Sequence, residues 1–446
     1  MVLNLKELEV KNPAAIQLLN KLETKMATIG VVGLGYVGLP LAVEKAKAGY
    51  HVIGFDIQVK RTEMVNQGIN YIGDVVDEEL ADLVKAGKLV ATTDFSRIKD
   101  VDAVAVCVPT PLDTYKQPDI SYVVNSGKEI AKYIHKGMLV VLESTTYPGT
   151  TEEVLKPILE ESGLVCGEDF FLAYSPERVD PGNKHYNTKN TPKVVGGVTP
   201  TCMLVASTMY RNVLEGDVHE VSSPKVAEME KILENTFRNI NIALANEMAI
   251  LCNKMGIDVW EVIDAAATKP YGFMPFYPGP GLGGHCIPID PWYLTWKARE
   301  YNYHTRLIEI AGEINDSMPD FVVQRCMEIL NEHGKALKGS KILVLGVAYK
   351  KDIDDYRESP VLPILNKLTK SGAEWIVVDP HVKEFKLNGK MVATMNLNEV
   401  DIENADLVLI TTDHSAFDFE KVAGKAKVIF DTRNVITRQR KNYYKL

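Results

Sequence analysis

Apolar residues fall along this chain in three regimes, and each change of period marks a change of organisation. Leu3 to Lys25 has apolar positions at helical spacing among charges, which predicts an amphipathic N-terminal helix. From Ala27 short apolar runs take over: Ala27–Val32, His51–Phe55, Ala103–Val108 and Leu139–Leu142, each followed by turn or helix signals. Runs this apolar suit strands buried on both faces, so their alternation with helices predicts a parallel, doubly wound sheet. Between roughly Ser222 and Glu313 the strand signals vanish. Val226–Met255 instead carries apolar residues three to four apart, among them Ile232, Phe237, Ile240, Leu244, Met248 and Leu251. That spacing predicts one long helix ending near Gly256. A second helix over Asp258–Ala267 leads into a Pro/Gly-rich loop from Lys269 to Pro291. The strand period resumes at Lys341–Val347 and recurs at Trp375–Val378, Leu407–Ile410 and Val428–Phe430.

Composition narrows the class without changing this plan. A chain of 446 residues exceeds one typical core, and 46% apolar with 24% charged residues is ordinary for a soluble globular protein. The net charge of −9 disfavours wholesale binding to nucleic acid or anionic membranes, while leaving room for a local basic pocket. Six cysteines are scattered with no spacing that suggests zinc or a disulfide framework, so no metal is expected. No secretory signal is read, and the longest apolar runs are strand-length; the cytoplasm is the expected compartment.

Candidate chemistry begins at IGVVGLGYVG. Gly33, Gly35 and Gly38 follow a predicted strand and open a helix, with Tyr36 and Val37 between them. The first glycine permits a tight turn, the second lets backbone approach a pyrophosphate, and the third allows close helix packing. Asp56 closes the next strand, where an acid accepts hydrogen bonds from a ribose 2′-hydroxyl and repels a 2′-phosphate. NAD is therefore expected over NADP, although Arg61 nearby is a residue type that serves a phosphate. The fold class expected is α/β: two doubly wound, Rossmann-like domains joined by a central helical domain with one long helix. The divisions are 1–26 for a helical extension, 27–221 for the NAD-binding domain, 222–325 for the helical domain and 326–446 for the second sheet domain.

PGPGLGGHCIPIDP places Gly279, Gly281, Gly283 and Gly284 beside Cys286, with Asp290 four residues on. A thiol in so open a backbone is either a nucleophile or a packing cysteine; His285 next to it reads as structural. SPERVDPG sets Glu177 and Arg178 in a turn-rich stretch. Lys231 and Asn235 lie one helical turn apart, either as two donors to a developing oxyanion or as solvated surface. The second sheet domain has only Gly346 at its first turn, making it a poor NAD site. It carries Lys350, Lys351 and Arg357, which suit a phosphate or carboxylate as well as open solvent.

GLGYVG, VPTP, EST, SPER, AEMEKILENT, GLGGHCIPIDP, GVAYKKDIDDYRESP and DTRN stand in that order from about Ala27 to Asn434. In this the chain resembles the UDP-glucose/GDP-mannose dehydrogenase family over nearly its whole length. The resemblance implies that Cys286 is the nucleophile, that Lys231 and Asn235 match the family's lysine and asparagine, and that Glu177 and Asp290 match its acid/base positions. Thr145 matches a threonine that helps place water. Gly33, Gly35, Gly38, Asp56, Arg61 and Thr110 fall at NAD positions, with Arg357 near the cofactor. Lys350 and Arg433 match residues that hold the nucleotide, and Gly279–Gly284 would follow the sugar and its phosphates.

The reaction implied is a four-electron oxidation at C6 of a nucleotide sugar using two NAD in turn, through a thiohemiacetal and a thioester. SPERVDPGN, with Pro181 where the UDP-glucose group carries a further acid, and the histidine before Cys286 resemble the branch acting on UDP-N-acetylhexosamines. UDP-N-acetylglucosamine is the first expectation, with UDP-N-acetylmannosamine and UDP-glucose as alternatives. A two-electron dehydrogenase of β-hydroxyacid type, which would not need Cys286, and a non-catalytic nucleotide-sugar sensor are the rivals from other classes. The resemblance also implies a homodimer or larger homo-oligomer, with the long helix at the contact.

Overall fold

The computed structural model describes residues 11–73, 75–180, 183, 185–436 and 441–446; Pro181 and the first ten residues lie outside that set. The described part of the N-terminal extension is helical. Asn12 caps Pro13–Glu23 by accepting the Ala15 N–H at 3.1 Å, and Ala15, Leu18 and Leu22 are buried. Lys21 reaches Asp102 at 2.6 Å and Asn12 donates to the Glu168 carbonyl, so this helix packs on the sheet domain that follows it.

That domain is one sheet of Thr28–Val32 (β1), His51–Phe55 (β2), Leu89–Thr92 (β3), Ala103–Val106 (β4), Leu139–Leu142 (β5), Phe171–Tyr174 (β6), Lys193–Gly197 (β7) and Val218–Val221 (β8). Its order is β3-β2-β1-β4-β5-β6-β7-β8, parallel throughout except between β6 and β7. Val32 stands opposite both Phe55 and Val106, so three carboxyl ends finish level where the order reverses. A doubly wound sheet opens its ligand crevice at that reversal. Every residue of β4 and β5 is buried, as the unbroken apolar runs require.

The second sheet comprises Lys341–Leu345 (β9), Glu374–Val378 (β10), Leu407–Ile410 (β13), Ile429–Asp431 (β14) and Tyr443–Lys445 (β15), with a separate hairpin of Glu384–Leu387 (β11) and Lys390–Ala393 (β12). Its order is β10-β9-β13-β14-β15, parallel throughout. Each sheet turns out of its first strand in the same way. Gly33 after β1 has φ +90 and Gly346 after β9 has φ +94. Their N–H groups donate to the carbonyls that close the adjacent strands, Phe55 at 2.7 Å and Val378 at 2.8 Å. Only a residue without Cβ adopts this conformation at little cost.

Two compact units result. One runs to Glu234 and takes in Trp296–Tyr301; the other holds Asn235–Thr295 and Asn302–Leu446. The helices Pro224–Met255 and Val259–Ala267 stand where the sequence put them, the latter capped by Asp258. The boundary expected between 325 and 326 falls inside the helix Arg306–Glu332, whose buried Met318, Val322, Cys326 and Ile329 continue one helical period across it.

Within the first unit the start of the long helix is tied to the helical turn Thr150–Leu155 that follows β5. Glu228, fully buried, accepts the Gly149 N–H at 2.5 Å, the Thr151 N–H at 2.9 Å and the Thr151 hydroxyl at 2.7 Å. Burial nevertheless pushes its carboxyl up to about 7. Glu228→Ala leaves three donors unanswered and should lower unfolding free energy by about 2–4 kcal/mol, read by denaturant titration. Because the folded value lies above the ordinary 4.5, this group's contribution to stability is greatest at low pH and declines as pH rises from 4.5 toward 7. The wild type should show that component of the pH slope and the variant should lack it.

Candidate active site

Three segments of the first unit converge around the glycine turn. A Cβ at Gly33 would meet the Cys107 carbonyl oxygen at 2.4 Å, and one at Gly38 would meet the Gly33 carbonyl oxygen at 1.8 Å, whereas Gly35 has no atom within 4 Å. Two glycines are thus demanded by the fold and the third leaves open space. Tyr36 is half exposed beside it, and Val37 precedes the helix Gly38–Lys47. Asp56 is buried; its Oδ2 accepts the Leu34 N–H at 2.9 Å and its Oδ1 the Gln58 N–H at 2.8 Å. Arg61 lies 3.3 Å from Asp56 Oδ2, so the arginine answers the acid. The Thr110 hydroxyl donates to the Thr145 carbonyl at 2.7 Å, which joins the VPTP and EST segments. A glycine turn with space at its middle residue, closed by Asp56, fits a dinucleotide.

The SPER turn lies in the same unit. Glu177 Oε1 accepts the N–H groups of Arg178 at 2.7 Å and Val179 at 2.9 Å, while Lys193 stands 3.6 Å from Oε2. Burial works to raise this carboxyl, but Lys193, those two N–H groups and Lys231 prevail and hold it below the ordinary range. Glu177 is therefore suited to accept a proton, not to donate one. Lys231 is buried on the helix Pro224–Met255 and donates a hydrogen bond to the Glu177 carbonyl oxygen at 2.5 Å. Arg178, a substrate-binding expectation, is ion-paired to Glu234 and Glu230 and donates to the Pro192 carbonyl. Its role here is to hold the turn against the helix.

In the second unit the cysteine loop hangs from the same helix. The Cys286 thiol is exposed and in no disulfide. Its carbonyl accepts the N–H groups of Ile289 and Asp290, turning the chain into the helix Asp290–Ala298. Asp290 is 2% exposed, and its Oδ2 accepts the Asn235 Nδ2–H at 2.5 Å. Asn239 donates to the Ile287 carbonyl at 3.1 Å, and Asn246 accepts the Gly279 N–H at 3.0 Å while donating to Asn315. Asn239, Asn246 and Asn315 were not picked out in the sequence. An asparagine series at 235, 239 and 246 on one helix face was the available signal.

The glycines of that loop have a packing reason. A Cβ at Gly279 would meet Arg433 Nη1 at 2.8 Å, one at Gly281 Pro360 at 2.8 Å, and those at Gly283 and Gly284 Tyr349 at 2.4 and 2.9 Å. The expected sugar loop and the expected nucleotide residues Arg433 and Lys350, beside Tyr349, are thus brought together. Arg433 donates to the Thr411 carbonyl at 2.9 Å. Arg357 makes a bidentate pair with Asp355, toward which His285 also points at 3.7 Å. Burial lowers the His285 ring below its ordinary value, with Arg357 adding to the effect. Lys351 is exposed, 4.0 Å from Asp413.

Among the described residues, Asp352, His381 and His414 form one cluster with metal-ligand spacing, within 4.8 Å. Both ring nitrogens of His414 are engaged, Nδ1 by the Asp352 N–H at 3.0 Å and Nε2 by Asp379 at 3.1 Å. Such a histidine clasps two loops and has no lone pair to spare.

Profiles of the UDP-glucose/GDP-mannose dehydrogenase family match three consecutive stretches: its NAD binding domain at residues 27–214, its central domain at 225–317 and its UDP binding domain at 343–438. The chain is 42% identical to the UDP-N-acetyl-D-glucosamine 6-dehydrogenase of Pseudomonas aeruginosa over 355 residues, 79% of this chain and 83% of that one. It is 37% identical over 415 residues to the UDP-N-acetyl-D-mannosamine dehydrogenase of Pyrococcus horikoshii, 92% and 96% of the two chains. A solved structure of UDP-D-ManNAc dehydrogenase from Pyrococcus horikoshii superimposes with a TM-score of 0.86 at 35% identity, covering 94% of this chain and 98% of that one.

Gly38→Ala tests the turn, since the methyl group would sit 1.8 Å from the Gly33 carbonyl oxygen. NAD affinity should fall at least about tenfold, as the pyrophosphate turn must open to admit the added carbon. Fluorescence titration with NAD reads it, and unchanged affinity would refute the assignment.

Proposed function

Because the chain belongs to the UDP-glucose/GDP-mannose dehydrogenase family, we propose that it oxidises the C6 hydroxyl of a UDP-N-acetylhexosamine to the uronic acid through a covalent intermediate on Cys286. It is an NAD-dependent oxidoreductase acting on a UDP-sugar, with UDP-N-acetylglucosamine as the proposed substrate. The observation that carries the chemistry is the exposed Cys286 four residues before buried Asp290, whose carboxylate takes the Asn235 amide.

NAD, when bound, accepts a hydride in each of two successive oxidations. Asp290 takes the proton of the C6 hydroxyl in the first. The Cys286 thiolate then adds to the aldehyde, and Lys231 and Asn235 stabilise the oxygen of the thiohemiacetal. Capture converts a bound aldehyde into an alcohol-like adduct from which the second oxidation gives a thioester. Glu177, held as a carboxylate, takes a proton from the water that Thr145 helps place, and the C–S bond breaks to release the acid. Lys350 and Arg433 hold the UDP moiety, in the stretch that matches the family's UDP binding domain.

The acetylated sugar is supported by relatives named for N-acetylglucosamine and N-acetylmannosamine, and by SPERVDPG with histidine before Cys286. The mannosamine epimer is the second reading, favoured by the likeness to the Pyrococcus horikoshii enzyme. A homodimer is part of the proposal. The long helix leaves Leu233, Phe237, Leu244 and Leu251 exposed at one helical period, an apolar seam that a second copy would cover. Leu244→Glu should shift the mass measured by light scattering toward the monomer; an unmoved mass places the contact elsewhere.

Cys286→Ser should retain NAD binding and form no uronate. Wild-type enzyme should yield two NADH per sugar, with the highest kcat/KM for UDP-N-acetylglucosamine in a panel with UDP-N-acetylmannosamine, UDP-N-acetylgalactosamine and UDP-glucose. Two NADH from the serine variant would exclude the covalent route. One NADH from wild type would favour the two-electron dehydrogenase, and none with any sugar the sensor.

A further inference from the structure

Behind Glu177 the first unit buries a group of charges that the chemistry above leaves unused. Lys193 opens β7 and is 4% exposed; its Nζ lies 2.6 Å from Glu143 Oε2 and 3.6 Å from Glu177 Oε2. Glu143, which follows β5 and begins the EST segment, is 1% exposed and accepts the Tyr210 hydroxyl through its other oxygen. The Lys193 ammonium also sits 5.3 Å from the centre of the Tyr210 ring. Lys45, wholly buried, also lies over that ring at 4.8 Å, and burial lowers it to about 8. Each buried ion costs several kcal/mol in lost hydration, and apolar residues would join β5 and β7 as firmly. A cation kept there against that cost, within reach of a catalytic candidate, has a use other than packing.

We propose that Lys193 is the positioning residue of Glu177, its buried ammonium fixing one carboxylate oxygen while Glu143 and Tyr210 hold the ammonium in place. The inference rests on the reading of Glu177 as the group that activates water. Glu177 is faced by Lys193 from β7, by Lys231 from the long helix and by Arg178 beside it; Lys193 is faced in turn by Glu143, Tyr210, Lys45 and Cys107. Lys193 exerts the largest attraction on the carboxylate. Without it the opposing effect of burial gains ground and the carboxyl moves up. In the step at issue, water oxygen bonds to the thioester carbon, its proton passes to Glu177 and the Cys286 thiolate leaves. A protonated Glu177 cannot take that proton, and the thioester persists.

The double variant Lys193→Met, Glu143→Gln removes one charge of each sign and so leaves no unpaired Glu143. Intact-mass spectrometry follows the sugar adduct on Cys286 with excess NAD and the best UDP-sugar of the panel. The adduct should accumulate at pH 6 and discharge at least about tenfold faster at pH 8, a contrast absent from wild type and from Lys193→Arg. Glu177→Gln should accumulate adduct at both values. If it does so while the double variant discharges equally at both, Lys193 is not the positioning residue. If Glu177→Gln accumulates none, the reading of Glu177 fails and the inference falls with it. Should the double variant not fold, Lys193→Gln decides, since its amide can still donate to Glu143 but carries no charge to set against Glu177. The adduct should again accumulate at pH 6 and discharge at pH 8, and equal discharge at both values overturns the proposal.

Discussion

The buried face of the helix Pro224–Met255 sets polar side chains among Ile232 and several alanines, and the candidate site depends on them. Lys231, Asn235, Asn239 and Asn246 are all nearly inaccessible, where a core helix would carry leucine or isoleucine. Burying an amide or an ammonium is tolerable only if a fixed partner answers it. In the first unit that partner is the carbonyl of Glu177; in the second they are Asp290, the carbonyl of Ile287 and the N–H of Gly279. Each loop is therefore held by a hydrogen bond whose loss would strand a buried polar group. Loops so pinned present their side chains at fixed positions, which nucleophilic and acid–base chemistry requires.

The same helix shows how far the sequence could be read. Its period and both ends were legible, because apolar residues three to four apart specify a helix whichever face is buried. The buried face was not. Phe237, Leu244 and Leu251 look like a core stripe, yet they are exposed and the asparagines lie inside. Periodicity reports that two faces differ, not which one meets the protein, and a seam covered by a second copy has the same apolar character as a core. The strands followed the same rule. Wholly buried β4 and β5 were plain, whereas Leu89–Thr92, with Val90 exposed, and half-exposed Val218–Val221 gave no unbroken apolar run.

Of the two glycine patterns, one was legible in its steric causes and the other misled. GLGYVG was read residue by residue, and the structure gives Gly33 and Gly38 the steric reasons assigned to them. PGPGLGGHC suggested backbone opened for a ligand, yet Tyr349, Pro360 and Arg433 already occupy the space beside its glycines. Sequence alone cannot tell a loop emptied for substrate from one emptied for another loop. The likeness between Asp56 and Asp379 was equally hidden, because Gly346 stands without a glycine triplet. Both acids accept N–H groups from the turn after the first strand of their sheet. They differ in what completes them. Asp379 also takes two further N–H groups and His414, which hold its carboxyl down at about 2 against burial, while Asp56 takes one further N–H and a half-exposed arginine. Asp379 is saturated and belongs to the scaffold; Asp56 retains capacity for a ligand hydroxyl.

Environment separates the cysteines by the same reasoning. Nucleophilic attack needs the thiolate, and burial penalises that form. Cys107 is pushed well above its ordinary value, chiefly by burial and then by Glu143, and burial raises Cys326 to about 12. Cys166, Cys202 and Cys252 are buried as well, which leaves Cys286 as the one exposed thiol of the six. Cys107 and Cys326 fill the core, whereas Cys202 also accepts the Leu172 N–H and the Thr199 hydroxyl. Cys286 contributes little to any core, and its neighbours Ile287 and Asp290 are nonetheless anchored to the long helix. The hydrogen bonds of Gly279, Ile287 and Asp290 to the long helix thus fix the chain before and after an exposed sulfur atom, as the nucleophile proposed above requires.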